Sequence, residues 1–138
     1  MNLNYVNTFI AVADDCKAEF GKIPMPSKSK PTVAEVQFHM LVEQPYKFTQ
    51  EDVLFESSSA MREKPNLTIQ EREELKKEFF SRSQACLRAS PIGKSYGWGI
   101  HFDEKGRAAA VGRETPEYQK FLNDSTLDQT KAMRSKRA

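Results

Sequence analysis

The stretch Tyr96-Gly97-Trp98-Gly99-Ile100-His101-Phe102-Asp103-Glu104-Lys105-Gly106, continuing Arg107-Ala108-Ala109-Ala110-Val111-Gly112, decides the fold. Its first part alternates at a period of two. Tyr96, Trp98, Ile100 and Phe102 fall on one face, and Gly97, Gly99, His101 and Asp103 on the other. This is the pattern of a strand with an aromatic core side, so Trp98 and Phe102 are expected buried together and Gly99 and His101 opposite them. Asp103-Glu104-Lys105-Gly106 supplies a turn, and Arg107 to Gly112 returns antiparallel, which predicts a hairpin near 95–112.

Helical signals flank this hairpin. Downstream, Thr115-Pro116-Glu117 gives a cap, an N1 proline and a first-turn acid for a helix over 116–122 that buries Tyr118, Phe121 and Leu122. Upstream, Thr68 with Glu71 opens a charged helix over 69–81 whose thin apolar stripe is Leu75, Phe79 and Phe80. Thr32 with Glu35 opens another near 33–44, with Val33, Val36, Met40 and Leu41 on one side and Pro45 as its stop. Residues 49–60 read two ways: Thr49 can cap a short helix through Asp52, and Val53-Leu54-Phe55 equally suits a buried strand. Tyr5 to Ala13, centred on Phe9, Ile10 and Val12, suits a strand. Pro24, Pro26 and Pro31 among serines and lysines make 21–31 a mobile loop. Strands and helices mix without the regular alternation of a parallel sheet, so the expected class is α+β, an antiparallel sheet packed against helices.

At 138 residues the chain suits one domain, expected over 1–127, followed by a basic tail over 128–138. The tail holds Lys131, Arg134, Lys136 and Arg137 against Asp128, which leaves 17 basic and 18 acidic residues in 1–127. The body is near neutral, so a broad phosphate-binding face is not expected, and nucleic acid is a candidate partner through the tail alone. The competing reading of the tail is a plain solubilising terminus. No apolar run nears the roughly 18 residues of a membrane span, and no membrane partner is expected. Met1 to Ile10 lacks the Lys or Arg of an export signal, which reads as cytoplasmic. In that setting Cys16 and Cys86 are expected as free thiols.

Several segments are also familiar. Asn7-Thr8-Phe9-Ile10, Pro45-Tyr46-Lys47-Phe48-Thr49, Cys86-Leu87-Arg88-Ala89-Ser90-Pro91, Tyr96-Gly97-Trp98-Gly99-Ile100-His101 and Lys131-Ala132-Met133-Arg134-Ser135-Lys136-Arg137-Ala138 are spread over nearly the full length. Together they resemble a family of small bacterial proteins catalogued only as a domain of unknown function. The resemblance implies a small single-domain protein and carries no activity, cofactor or catalytic residue.

Function must therefore come from the residues. From Arg82 to Phe102 there is no acid, while Arg82, Arg88 and Lys94 sit among Gly93, Gly97 and Gly99. An anion or phosphate site over 88–99 is the sharp expectation, with Arg88, Ser90, Gly93, Lys94 and Tyr96 as ligand-binding candidates. The plainer reading makes Ser90-Pro91-Ile92-Gly93 a turn and the glycines packing residues. Gly93-Lys94-Ser95 is no nucleotide-binding P-loop, because Arg88 stands where that motif has glycine and a strand follows. Gly97-Trp98-Gly99 lacks the third glycine and the helix of a dinucleotide site. Cys86, His101 and Asp103 form a second, catalytic constellation, in which His101 and Asp103 on one strand face cooperate only through a third group. Cys16, His39, Cys86 and His101 lack the close pairs of a structural zinc site, so neither metal nor cofactor is expected. The leading expectation is a non-enzymatic binding module with a small anionic ligand. The alternatives are a small enzyme using Cys86 or His101 with Asp103, and a nucleic-acid-associated protein acting through the tail.

Overall fold

The hairpin forms as its alternation requires. The computed structural model describes residues 4–63 and 66–135, and within them β1 is Thr8–Ala11, β2 Phe48–Thr49, β3 Trp98–Phe102, β4 Arg107–Gly112 and β5 Asp128–Lys131. They make one sheet in the order β2-β4-β3-β1-β5. Antiparallel pairing joins β3 to β4, with His101 opposite Ala109, and β1 to β3, with Phe9 opposite His101. The two-residue β2 adds antiparallel to β4, while β5 lies parallel to β1, Thr8 opposite Asp128. The sheet is thus mixed and mostly antiparallel, and the class is α+β.

Capping chemistry sets the helices. α1 (Val33–Phe38), α2 (Gln50–Glu56) and α4 (Ile69–Phe80) each begin with a complete capping box, Thr32 with Glu35, Thr49 with Asp52 and Thr68 with Glu71. α3 is Ser59–Glu63, α5 Pro91–Lys94 and α6 Pro116–Leu122, the last capped by Thr115 with proline at its start. Residues 49–60 are therefore mainly helical, because the Thr49 box orders the chain before the apolar run is reached. The helix expected over 33–44 changes pitch at His39–Glu43, a single π-helical turn that ends before Pro45. Ser90-Pro91-Ile92-Gly93 is no turn: Ser90 accepts from the Ile92 amide and starts α5. The tail is not wholly irregular either, since its first four residues are β5.

Side chains pack on both faces of the sheet. Ile100 and Phe102 are buried and Trp98 is half-buried, its indole meeting Phe38 of α1 edge-on at 5.6 Å. On the opposite face α6 lays Tyr118 and Phe121 against Phe9, at ring separations of 5.3 and 5.6 Å. Gly99 permits that approach, because a Cβ there would lie 2.6 Å from the Phe9 ring and 2.8 Å from Tyr118. The Tyr118 hydroxyl accepts from the Val12 amide, tying α6 to the end of β1. His101 shares this face with Gly99, as strand periodicity demands.

Candidate ligand-binding cavity

Much of the hydrogen-bonding capacity of 88–99 is used within the fold. Arg88 donates from Nε to the Lys131 carbonyl at 2.7 Å, and its own carbonyl accepts from Met133. It therefore clamps the end of β5. Ser90 and Gly93 are buried, and the Gly93 carbonyl is taken by the Ala13 amide. The Lys94 and Ser95 amides close α5 onto the carbonyls of Ser90 and Pro91, so these donors do not face a ligand. Tyr96 uses its carbonyl on the Lys22 amide.

The catalytic constellation also divides, across the sheet. Cys86 accepts from the Tyr5 hydroxyl at 3.4 Å, and Tyr5 packs on Phe102, whereas His101 lies on the α6 face. Cys86 and His101 do not meet. Burial, helped by the Cys86 bond, pushes the Tyr5 phenol up to about 12. His101 does have a partner that the sequence left unnamed. Tyr46 places its hydroxyl 2.9 Å from His101 Nδ1, while Phe121 stacks on the imidazole at 4.0 Å. Tyr46 has φ 60, a strained conformation for a large side chain. Burial lowers the His101 pKa against the fields of Asp103, Asp124 and Glu104. Asp103 is occupied as a turn residue. Partial burial opposes its ionisation, but the Arg107 and Lys105 amides and the Arg107 guanidinium outweigh this and hold its carboxyl below the ordinary value.

Both cysteines are free thiols, Cys16 buried and Cys86 half-buried. His39 bonds Glu43 on the surface. Among the described residues no three His, Cys, Asp or Glu side chains gather as a metal site. In the tail, Lys131 pairs with Asp14 and the Ser135 amide donates to Asp15; Lys136 and Arg137 lie outside the described residues.

A concave site lies among the helices instead. A cavity of about 590 Å³ opens between α1, the α2–α3 turn, α4 and residues 84–91. Its floor is a buried polar chain. Ser90 Oγ donates to Gln37 Oε1 at 2.5 Å, Gln37 Nε2 donates to Ser57 Oγ at 3.0 Å, and Ser57 Oγ donates to the Val53 carbonyl at 2.7 Å. Leu54, Leu75 and Phe79 give apolar walls, Arg62 and Arg82 bring two cations to the lining against the one carboxylate of Glu78, and Cys86 also lines it. Arg62 is fixed by the Ser57 and Pro31 carbonyls, while Arg82 is exposed and pairs with Glu78 of its own helix at 3.6 Å.

The wall formed by α4 is lightly attached. None of its residues is buried. It is held by Phe79 against Phe55, by an Arg72–Glu56 ion pair and by Gln84 donating to the Phe79 carbonyl. Gln37, Ser57 and Arg62 are absent from the sequence reading of the site, and Arg82 enters it only as the first cation of the acid-free run. They come from three separated segments, and no local spacing marks them.

Comparison with known proteins adds kinship without chemistry. No curated protein and no solved structure matches the chain. A family model does match, over residues 1–138, and the chain belongs to that family, described as a family of unknown function (DUF6157).

Proposed function

We propose that this protein is a non-enzymatic binding module whose ligand occupies the cavity above Gln37, Ser57 and Ser90. The observation that carries this reading is the cavity itself: its size, and a lining that sets apolar side chains beside polar and charged ones, suit a small amphipathic molecule. The ligand is a small carboxylate or phosphate with an apolar body. Leu54 and Phe79 accept the body, and Arg82, the exposed cation of the lining, takes the charge. The anionic ligand expected from the sequence is kept, and its site moves from Arg88 and Lys94, one of which is spent on backbone, to the neighbouring cleft that shares Ser90.

A thermal-shift screen of small aromatic and aliphatic carboxylates and phosphates tests this, since a ligand bound by the folded state alone raises Tm. A hit should lose its shift in Ala60→Phe, which fills the cavity, and weaken in Arg82→Ala. A shift that survives both but disappears in Arg88→Lys or Lys94→Ala would refute the cavity and return the site to 88–99.

A small enzyme is the second reading, favoured by one observation: Tyr46 is held in a left-handed conformation with its hydroxyl on His101. Tyr46 is then the third group that His101 needs, acting as its proton partner. Hydrolysis of activated esters, lost in both His101→Gln and Tyr46→Phe, would support it; no rate above background would reject it.

A further inference from the structure

Four of the seven large apolar side chains exposed among the described residues lie at one end of the sheet. β1 and β5 finish there and β3 begins there. Phe20, Ile23 and Met25 project from the loop that follows β1, at 53%, 73% and 83% exposure, and Met133 follows β5 at 49%. Exposed apolar residues are ordinarily scattered, and gathering at one end marks a contact surface.

The loop is tied to the sheet between Phe20 and Ile23. The Lys22 amide donates to the Tyr96 carbonyl, Trp98 Nε1 donates to the Lys22 carbonyl, and Gly21 lies flat on the indole. Pro24 and Pro26 interrupt the tip and remove two amide donors that an apolar setting would leave unpaired. Residues 16–31 carry four lysines and one acid, Glu19; Lys30 pairs with Glu63, and Glu114 and Glu35 reach the loop to accept from the Gly21 and Ser27 amides. Among the described residues no salt bridge reaches Lys17, Lys22, Lys28 or Arg134. The nearby Asp14 and Asp15 are engaged by Lys131 and the Ser135 amide.

Shape and charge choose the partner. A peptide-binding site offers concave pockets to a partner's side chains. Here the apolar groups themselves protrude, most of the Ile23 and Met25 surface having no protein wall. A medium that receives protruding apolar tips and attracts the surrounding cations is an anionic lipid surface. We propose that this end of the sheet docks on the headgroup layer of an anionic bilayer, with Phe20, Ile23 and Met25 entering the interface and Lys17, Lys22, Lys28 and Arg134 above the anionic headgroups. No helix among the described residues is long and apolar enough to cross a membrane, which bears on a span and leaves a surface contact open.

The test is co-sedimentation of the full chain with phosphatidylcholine vesicles, with and without phosphatidylserine. Binding should require phosphatidylserine and weaken with added salt, because the attraction is screened over about 10 Å at 0.1 M. Ile23→Ser with Met25→Ser should reduce affinity by roughly tenfold or more, as insertion strength scales with buried apolar area. Both positions are exposed, so the fold should tolerate the change. Trp98, the single tryptophan, lies under the loop, and its emission should shift on docking in the wild type and not in the double variant. Absence of binding to phosphatidylserine vesicles overturns the proposal. Equal binding by the double variant overturns it too, since charge alone would then suffice. A wild-type dimer that the double variant converts to monomer would make this end an interface between copies and likewise refute the bilayer.

Discussion

Replacing Ser90 by alanine removes one oxygen from the cavity floor and leaves two buried groups without partners. In the native protein the hydroxyl donates to Gln37 Oε1 and accepts from the Ile92 amide; Ser90 and Gln37 are each 3% exposed and Ile92 is 0%. Loss of the cap costs about 1 kcal/mol. The orphaned Gln37 oxygen costs roughly 1–3 kcal/mol more, because a buried acceptor forfeits its solvation without compensation. Ser90→Ala should therefore destabilise by about 2–4 kcal/mol, a fall in Tm of roughly 8–16 °C for a chain of this size. Urea unfolding followed through Trp98 measures it, with exposed Ser83→Ala as a control expected within about 0.5 kcal/mol of wild type. Gln37→Leu breaks the same chain, so the double variant should cost at least about 1 kcal/mol less than the two singles together. A Ser90→Ala protein within 0.5 kcal/mol of wild type, or strict additivity, would refute the view that Ser90, Gln37 and Ser57 act as one unit.

Other outcomes follow from the same geometry. Gly99→Ala should cost roughly 1–3 kcal/mol in chemical denaturation, since the new methyl has to displace Phe9 or Tyr118. Burial lowers the His101 pKa below 6.5, so the unfolded chain holds the extra proton first. Its contribution to stability is present above pH 6.5 and is lost as pH falls through the lowered folded value; His101→Gln should flatten stability across that window, and an unchanged slope would count against it. A thiol reagent should modify half-buried Cys86 in the native state and reach buried Cys16 only on unfolding, an order that mass mapping of the labelled peptides can read.

The parts of this fold legible in the sequence are those whose signal is local. Tyr96 to Phe102 carries its period in adjacent residues, and the caps at Thr32, Thr68 and Thr115 announce their helices, whereas the Thr49 cap competes with the apolar run Val53-Leu54-Phe55 that also suits a strand. β5 has no such signal. Asp128-Gln129-Thr130-Lys131 is polar because it is an edge strand with little burial, and it pairs through backbone amides that any residues supply. The site was harder still to read. Charge counting along 82–102 finds Arg88, but a linear window cannot see that its guanidinium reaches a backbone carbonyl 43 residues away. Gln37, Ser57 and Ser90 are ordinary polar residues until the fold buries them side by side. Tyr46 escaped for a related reason, since its link to His101 spans 55 residues and its left-handed backbone leaves no trace in residue type.

The parallel partnership of β1 with β5 also has a bearing on how the chain is made. β1 leaves the ribosome well before either strand that flanks it, since one of its edges is completed by residues 128–131 and the other by residues 100–102. Until those emerge, Phe9 and Ile10 have neither neighbouring strand to cover them, and an apolar strand with two open edges is prone to pair with the wrong chain. The order of synthesis therefore opposes the order of assembly. A nascent chain stalled before residue 128 should remain sensitive to protease and attractive to chaperones however well its helices have capped themselves, and the Arg88 clamp closes only once Lys131 has emerged.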